Sequence, residues 1–152
     1  MKKDTDIIGL SVLSVQEGLE IGTVERLLVD KKSFSVVALA LSTDRWYEDY
    51  KVLNFKDIIG MSEELLTIEQ AATAKTCTEY PDFEALLTNT VELVDSRIVS
   101  KTGKVLGEAV SYTLDAVGQI TQIDMLDAQD ELATLAGEKI FSINNNIIII
   151  ND

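Results

Sequence analysis

Residues 15–41 read VQEGLEIGTVERLLVDKKSFSVVALAL, and this stretch decides the fold class. A first strand leads into a turn at Gly18, where a left-handed backbone costs a glycine little. A second strand begins at Gly22 and stops at Asp30, whose carboxylate suits a turn because it can accept backbone N–H groups. A third strand returns over residues 36–41. The pattern predicts antiparallel β-strands joined by tight turns.

Further short apolar segments, separated by turn residues, continue this β pattern at residues 7–12, 51–55 and 65–68. The character of the chain changes at Tyr80-Pro81, because a proline biases the preceding residue away from helix. This dipeptide is the best candidate for a boundary. After it, Asp82 is expected to cap a short helical turn over residues 84–87.

After this boundary the same pattern begins again. At a displacement of 85 positions, Gly18, Gly22 and Asp30 recur as Gly103, Gly107 and Asp115. At 84 positions, Val36 and Leu39 match Ile120 and Ile123, and at 82 positions, Ile58, Leu65 and Ile68 match Ile140, Ile147 and Ile150. The displacement changes only between apolar segments, where loops tolerate insertions. We therefore predict a tandem duplication with domains at residues 1–78 and 79–152.

The C-terminal strand indicates how the sheet closes. Residues 147–150 are four isoleucines, which would be an aggregation hazard on an exposed edge. We expect this strand to lie between neighbours or within a closed sheet, and predict an all-β chain of two small tandem antiparallel barrels with a short, partly helical linker. A copy of about 70 residues is near the lower limit for an independent core, so the copies are expected to pack together or dimerise.

Composition excludes several classes of function. The chain has 152 residues, a formal net charge of −13, no His and one Cys. Imidazole-based catalysis, His-containing metal sites, internal disulfides and thiolate clusters are excluded, and the acidic surface disfavours direct binding of nucleic acid. No apolar run resembles a signal peptide or a membrane span, so we expect a cytoplasmic protein without membrane insertion.

The turn and strand residues together resemble the PRC-barrel family. The first copy carries the Gly turn, Ile-Gly-x-Val and apolar-Asp elements of residues 15–41 and the segment FKDIIG at 55–60. The second copy matches at residues 103–107, 114–115, 118–120 and 140–150. The resemblance implies a small barrel used as an interaction module, similar to the cytoplasmic domain of the reaction-centre H subunit and the C-terminal domain of a ribosome maturation factor. The first copy departs at residues 32–34, where the second has Gly118, so a different turn type is expected.

An unusual concentration of aromatic residues makes Trp46, Tyr47 and Tyr50 the candidate partner-binding residues. They include the only Trp, flanking charges surround them, and the second copy has no aromatic at the equivalent stretch, residues 128–135. Large rings with flanking charge are typical of interface anchors. The alternative is that Trp46 and Tyr50 cover the barrel end or the contact between the copies.

Four carboxylates, those of Asp124, Asp127, Asp130 and Glu131, fall within eight positions. Calcium prefers such oxygen ligands, but the spacing is not that of a calcium loop and no glycine marks the sharp turn. A solvated acidic face is the favoured interpretation, and whether the cluster binds a cation stays open. Cys77 has no nearby cation or His in the sequence that would activate its thiol. We predict no catalytic, cofactor-binding or metal-ligating residue.

These observations favour a noncatalytic adaptor that binds a basic protein, such as a ribosome-associated protein. Residues 1–75 carry a net charge of −4 (9 Lys+Arg, 13 Asp+Glu), and residues 76–152 carry −9 (4 against 13), so the second half is the expected electrostatic surface. The alternative is a small metal- or ligand-binding protein or enzyme that uses carboxylates in the groove between barrels. Direct RNA binding is the weakest hypothesis.

Overall fold

A computed structural model describes residues 2–43 and 50–151 of the chain, and these residues form two sheets that are mainly β-strand. The first sheet contains β2 (Ser11–Ser14), β3 (Leu19–Asp30), β4 (Ser35–Ser42), β5 (Lys51–Asn54), β6 (Ile58–Met61), β7 (Leu65–Ile68) and β8 (Lys75–Thr76). The second contains β10 (Arg97–Ser100), β11 (Val105–Leu114), β12 (Ile120–Asp127), β13 (Leu132–Ala136), β14 (Ile140–Asn144) and β15 (Ile147–Ile150). The all-β expectation is confirmed.

Both sheets follow the same strand order. The first runs β6-β7-β2-β3-β4-β5-β8, and the second runs β14-β15-β10-β11-β12-β13. Among the described residues, each sheet has one parallel pair, β7 with β2 and β15 with β10. The expectation of wholly antiparallel sheets is therefore wrong at these two pairs, because the strand that follows the outer hairpin returns to lie beside the first strand in the same direction. The isoleucine strand β15 therefore lies between two neighbours, as its sequence required. Within the described residues no ladder joins the two end strands of either sheet, and closure into barrels stays a prediction.

Two further strands and two helices connect the sheets. The short strand β1 (Lys2–Lys3) precedes helix α1 (Asp4–Ile7) but pairs with β11 in the second sheet. Conversely, β9 (Thr90–Val91) follows helix α2 (Phe83–Asn89) but pairs with β3 in the first sheet. Each half thus contributes one short strand to the sheet of the other half. Single turns of 3-10 helix span Phe55–Asp57, Ala71–Thr73 and Gly137–Lys139.

The turns that lead from the second to the third strand of each half differ, as predicted. Phe34 has a φ of 55° and Gly118 has a φ of 91°, so a phenylalanine occupies the left-handed position that glycine fills in the second half. The first turn closes with the Phe34 N–H donating to the Asp30 carbonyl, and the second with the Gly118 N–H donating to the Asp115 carbonyl. The first turn is therefore one residue longer, which accounts for the displacement changing from 85 to 84.

The two halves share one apolar core. A single cluster of buried side chains includes Leu39 and Leu66 of the first sheet together with Ile123 and Ile148 of the second. The helical linker takes no part in this core and lies on the outer face of the first sheet, where it covers Leu28, Ala38 and Val52. The equivalent positions of the second sheet are Thr113, Gln122 and Thr134, which are polar and need no such cover. Alternate side chains of these strands therefore determine which sheet the linker packs on.

The linker helix confirms the predicted helical turn but not the role of its first residue. Asp82 precedes α2 with a φ of 56°, and its side chain makes no capping hydrogen bond. The prediction that its carboxylate caps the helix is wrong, because a left-handed backbone directs the side chain away from the first helical N–H groups. Since α2 and β9 both lie against the first sheet, the division into domains at residue 79 stays a prediction.

Alanine substitutions at Gly22 and Gly107 test whether neighbouring strands approach so closely that these positions require glycine. A Cβ at Gly107 would overlap the Leu126 carbonyl, and a Cβ at the equivalent Gly22 would overlap the Ser42 carbonyl. We expect Gly22→Ala and Gly107→Ala each to lower the free energy of unfolding by about 1–3 kcal/mol, because a backbone carbonyl must shift. Urea unfolding measures this loss. Gly60→Ala, whose Cβ would meet only the Thr67 hydroxyl at 3.4 Å, is the control, and an equal loss there would contradict the explanation.

Candidate protein-interaction surface

Tyr50 is the only one of the three predicted partner-binding residues whose surroundings are defined; Trp46 and Tyr47 lie outside the described residues. Tyr50 is half-buried, with its ring centroid 6.2 Å from that of Phe83 in α2. The Arg26 guanidinium carbon lies 5.6 Å from the same ring. Burial, followed by a hydrogen bond with Cys77, raises the pKa of the Tyr50 hydroxyl. The residue thus contributes to packing on the outer face of the first sheet, and its role in binding a partner stays a prediction.

The predicted acidic cluster separates into side chains with different structural tasks. Asp124 accepts hydrogen bonds from the Ser111 hydroxyl at 2.9 Å and the Gln122 amide at 3.0 Å, and it pairs with the Lys3 ammonium at 3.1 Å. Burial raises the pKa of the Asp124 carboxyl, but these three donors together lower it below its ordinary value. Through its ion pair with Lys3, Asp124 therefore helps to hold β1 against the second sheet.

Asp127 holds the turn between β12 and β13. One oxygen of its carboxylate accepts the backbone N–H groups of Gln129 at 2.9 Å and Glu131 at 3.0 Å. Asp130 in this turn has a φ of 59°, a conformation that aspartate tolerates better than most residues. In the part of the chain that the structure describes, no three His, Cys, Asp or Glu side chains are grouped so as to hold a metal ion. Glu131 and Asp130 remain as exposed carboxylates at this end of the sheet.

Sequence reasoning missed Asp4, the most deeply buried charged residue in the part of the chain that the structure describes. Its side chain lies between the halves and accepts the Tyr112 backbone N–H at 3.2 Å. Burial raises the pKa of the Asp4 carboxyl, although hydrogen bonds from backbone N–H groups oppose the shift. Burial, then the nearby charges of Asp4 and Glu92, also raises the pKa of the Tyr112 hydroxyl. The sequence gives no indication that Asp4 is buried, because it lies near the N-terminus among other polar residues.

A cleft of about 160 Å³ lies beside Asp4 and Tyr112 and is lined by residues of both halves, as the alternative hypothesis requires of a ligand site. Its other charged lining residues are Glu25, Arg26 and Glu92, and the Arg26 guanidinium pairs with the Glu92 carboxylate at 3.5 Å. The cleft is therefore narrow, and its one cation is already engaged by an acidic neighbour.

The surface of the second sheet is strongly acidic. Residues 105–138, which include β11, β12 and β13, contain no Lys or Arg and seven carboxylates: Glu108, Asp115, Asp124, Asp127, Asp130, Glu131 and Glu138. Of these, Glu108, Asp130, Glu131 and Glu138 are exposed. A surface of one sign raises the local concentration of oppositely charged partners and increases their association rate. These exposed carboxylates can therefore attract cationic groups.

Comparison with known proteins agrees with the fold of the first half. Residues 1–69 match the PRC-barrel domain, which supports placing this part of the chain in the PRC-barrel family. The matched range ends just after β7, so it contains the first sheet up to the linker. No curated protein matches the chain. The described residues form no helix that is long and apolar enough to cross a membrane.

Asp4 gives stability a specific pH dependence. Because its folded-state pKa is raised, the native state binds more protons than the unfolded chain above pH 3.8, and stability falls as pH rises through the folded pKa. We expect Asp4→Asn to be more stable relative to the parent protein at about pH 7 than at about pH 3, as measured by urea unfolding. Asp82→Asn, at an exposed site, should show no such trend. A stability difference independent of pH at Asp4 would contradict this account.

Substitution of Tyr50 measures its structural role. We expect Tyr50→Ala to lower the free energy of unfolding by about 1–2 kcal/mol, because the ring loses its contacts with Phe83 and Arg26. Tyr50→Phe keeps the ring and should remain within about 0.5 kcal/mol of the parent. Equal stability of the alanine variant would indicate that the ring contributes nothing to the packing of α2.

Proposed function

We propose that the chain is a noncatalytic adaptor made of two tandem PRC-barrel-like domains, at residues 1–78 and 79–152. The family match covers the first domain. The second domain is inferred from the common strand order and from the register of equivalent hairpins. Leu39 pairs with Leu53 in the first sheet, and Ile123 pairs with Leu135 in the second, at the displacements of 84 and 82 found in the sequence.

The observation that carries the proposal is the composition of residues 105–138, which contain seven carboxylates and no Lys or Arg; among the described residues, Asp124 alone of these carboxylates is held in an ion pair, to Lys3. Such a surface favours a basic protein as partner, since complementary charge accelerates association and excludes acidic competitors. Ribosome-associated proteins are a class with the required positive charge. In the first half, the aromatic residues Trp46, Tyr47 and Tyr50 are the proposed anchors, because rings bring large contact area at low entropic cost.

Charge-neutralising variants of the full chain test this proposal. We expect the immobilised protein to capture basic proteins from host lysate at about 50 mM salt and to release them at about 500 mM, where exposed charges are screened. The triple variant Glu108→Gln/Glu131→Gln/Glu138→Gln should capture at least about ten-fold less, as quantified by mass spectrometry, because a factor of ten corresponds to only about 1.4 kcal/mol.

The matched control is Glu20→Gln/Glu63→Gln/Glu64→Gln, which removes the same charge from exposed positions in the first half. It should capture the same proteins as the parent chain. Equal losses in the two triple variants would show that net charge alone is responsible, and capture unaffected by salt would contradict an electrostatic surface. A melting temperature that rises with calcium or manganese concentration would favour a metal-binding protein instead.

A further inference from the structure

We propose that the outer edge of β13 accepts an extended, lysine- or arginine-bearing segment of a partner protein as an additional strand. The inference rests on the proposed function and specifies its contact surface. Strand addition to a sheet edge obtains affinity from main-chain hydrogen bonds, and side chains at alternate positions provide specificity. Four observations support this assignment: the free edge of the second sheet, the occupied equivalent edge of the first sheet, an exposed leucine and the local charge.

The backbone of β13 directs polar groups outward. Among the described residues β13 pairs only with β12. The Asp127 N–H donates to the Glu131 carbonyl at 2.9 Å, which sets the phase of the hairpin. In an antiparallel strand, the N–H and C=O of one residue point to the same side, and the next residue points both groups to the other side. Since Glu131 faces β12, the backbone groups of Ala133 and Leu135 also face β12. The backbone groups of Leu132, Thr134 and Ala136 therefore face the open side.

The equivalent edge in the first sheet is occupied. There β5 pairs with β8, with Val52 opposite Lys75 and Lys51 opposite Thr76. The displacement of 82 places Thr134 at the position of Val52. It also places Leu132 at the position of Tyr50, whose outward carbonyl accepts the Cys77 thiol at 3.8 Å. The chain thus shows at β5 that this edge accepts a short antiparallel segment, the two residues of β8.

The side chain of Leu132, at this edge, is also much more exposed than its counterpart in the first sheet. Leu132 is 76% exposed, although Tyr50 at the equivalent position is half-buried beneath α2. An extended segment lying along β13 would shield part of this leucine from water, and buried apolar area contributes about 25 cal/mol per Å². The free edge therefore offers both hydrogen bonds and an apolar contact.

The charges near β13 favour a basic segment of another protein over a second copy of this chain. Asp130 and Glu131 lie at the start of β13 and Glu138 lies just beyond its end. If two copies of this chain paired antiparallel about Thr134, Asp130 of one copy would face Glu138 of the other, and like charges opposite each other are destabilising. A basic segment of another protein would instead meet opposite charge at Asp130 and Glu131 at the start of the strand, whereas Glu138 at the far end is followed by Lys139.

Proline variants of the full chain test the edge directly. The probe is a fluorescein-labelled nonapeptide of three Lys-Thr-Val repeats, and the same peptide with Glu for Lys is the charge control. Thr134→Pro removes one outward N–H, a change that edge strands tolerate, and Thr134→Val keeps that N–H. Ala136→Pro is a second test, since its φ of −66° already suits proline.

Fluorescence anisotropy should show that the lysine peptide binds and the glutamate peptide does not. Both proline variants should bind the lysine peptide at least ten-fold more weakly, and Thr134→Val should bind within about two-fold of the parent chain, because it keeps the hydrogen bond. In nuclear magnetic resonance spectra of the ¹⁵N-labelled chain, the amides of Leu132, Thr134 and Ala136 should shift most. Urea unfolding verifies that at least one proline variant keeps the parent stability.

Binding to folded proline variants with parent affinity would overturn the inference. Amide shifts confined to other strands would overturn it too, while leaving an acidic adaptor in place. A parent chain that is dimeric and becomes monomeric with Thr134→Pro would identify a second copy as the occupant and contradict a basic partner. Failure of the lysine peptide to bind also overturns the inference, and the proposed function fails with it only if the capture experiment gives no salt-sensitive basic proteins.

Discussion

Two backbone hydrogen bonds at the junction of the halves constrain everything else in this fold. The Val36 N–H donates to the Gly118 carbonyl at 2.8 Å, and the Ile120 N–H donates to the Phe34 carbonyl at 3.1 Å. Both left-handed turn residues are thus held against the opposite sheet. A Cβ at Gly118 would lie 2.7 Å from the Val36 carbonyl oxygen, so the turns approach as closely as glycine permits. Each bond contributes only about 1 kcal/mol, but together they fix the register of one half on the other.

This junction explains why the halves exchange their short strands. With the turns fixed face to face, β1 lies within reach of the end of β11, and β9 lies within reach of the end of β3. The exchange brings Asp4 into the interface, where it accepts the Tyr112 N–H. The shared core follows from the same geometry, since apolar faces of both sheets meet beneath the junction. The two halves are therefore equivalent in topology but joined as one body.

Equivalent halves nevertheless present different surfaces, and the difference begins with a few outward side chains. Leu28, Ala38 and Val52 require cover, which the linker provides, and β8 fills the neighbouring edge. Their polar counterparts in the second sheet leave its outer face open to water and its edge strand free. The outward positions thus distinguish the half that the linker covers from the half whose outer face is polar.

The positions of the strands and turns were predictable because alternation and turn chemistry are local, whereas the parallel pairs that set the strand order were not. Residues 15–41 predicted three strands, and the left-handed φ values of 66° at Gly18 and 92° at Gly103 agree with their assignment as turn glycines. The displacements of 82–85 positions between the predicted copies then located the corresponding strands of the second sheet. Burial of Asp4 could not be predicted, because it arises from strand exchange between segments more than 100 positions apart. The contrast between the exposed Leu132 and the half-buried Tyr50 could not be predicted either, because it depends on which sheet the linker packs against.

The central claim is that the junction makes both sheets one cooperative unit, and native-state hydrogen exchange of the Gly118→Ala variant tests it most directly. The substitution lies at the junction, where its Cβ would meet the Val36 carbonyl oxygen and the Phe55 ring. Our account predicts that amides of Leu39 in the first sheet and Ile123 in the second lose protection together and by the same free energy. Loss of protection confined to the second sheet would show that the halves unfold independently and would contradict the account.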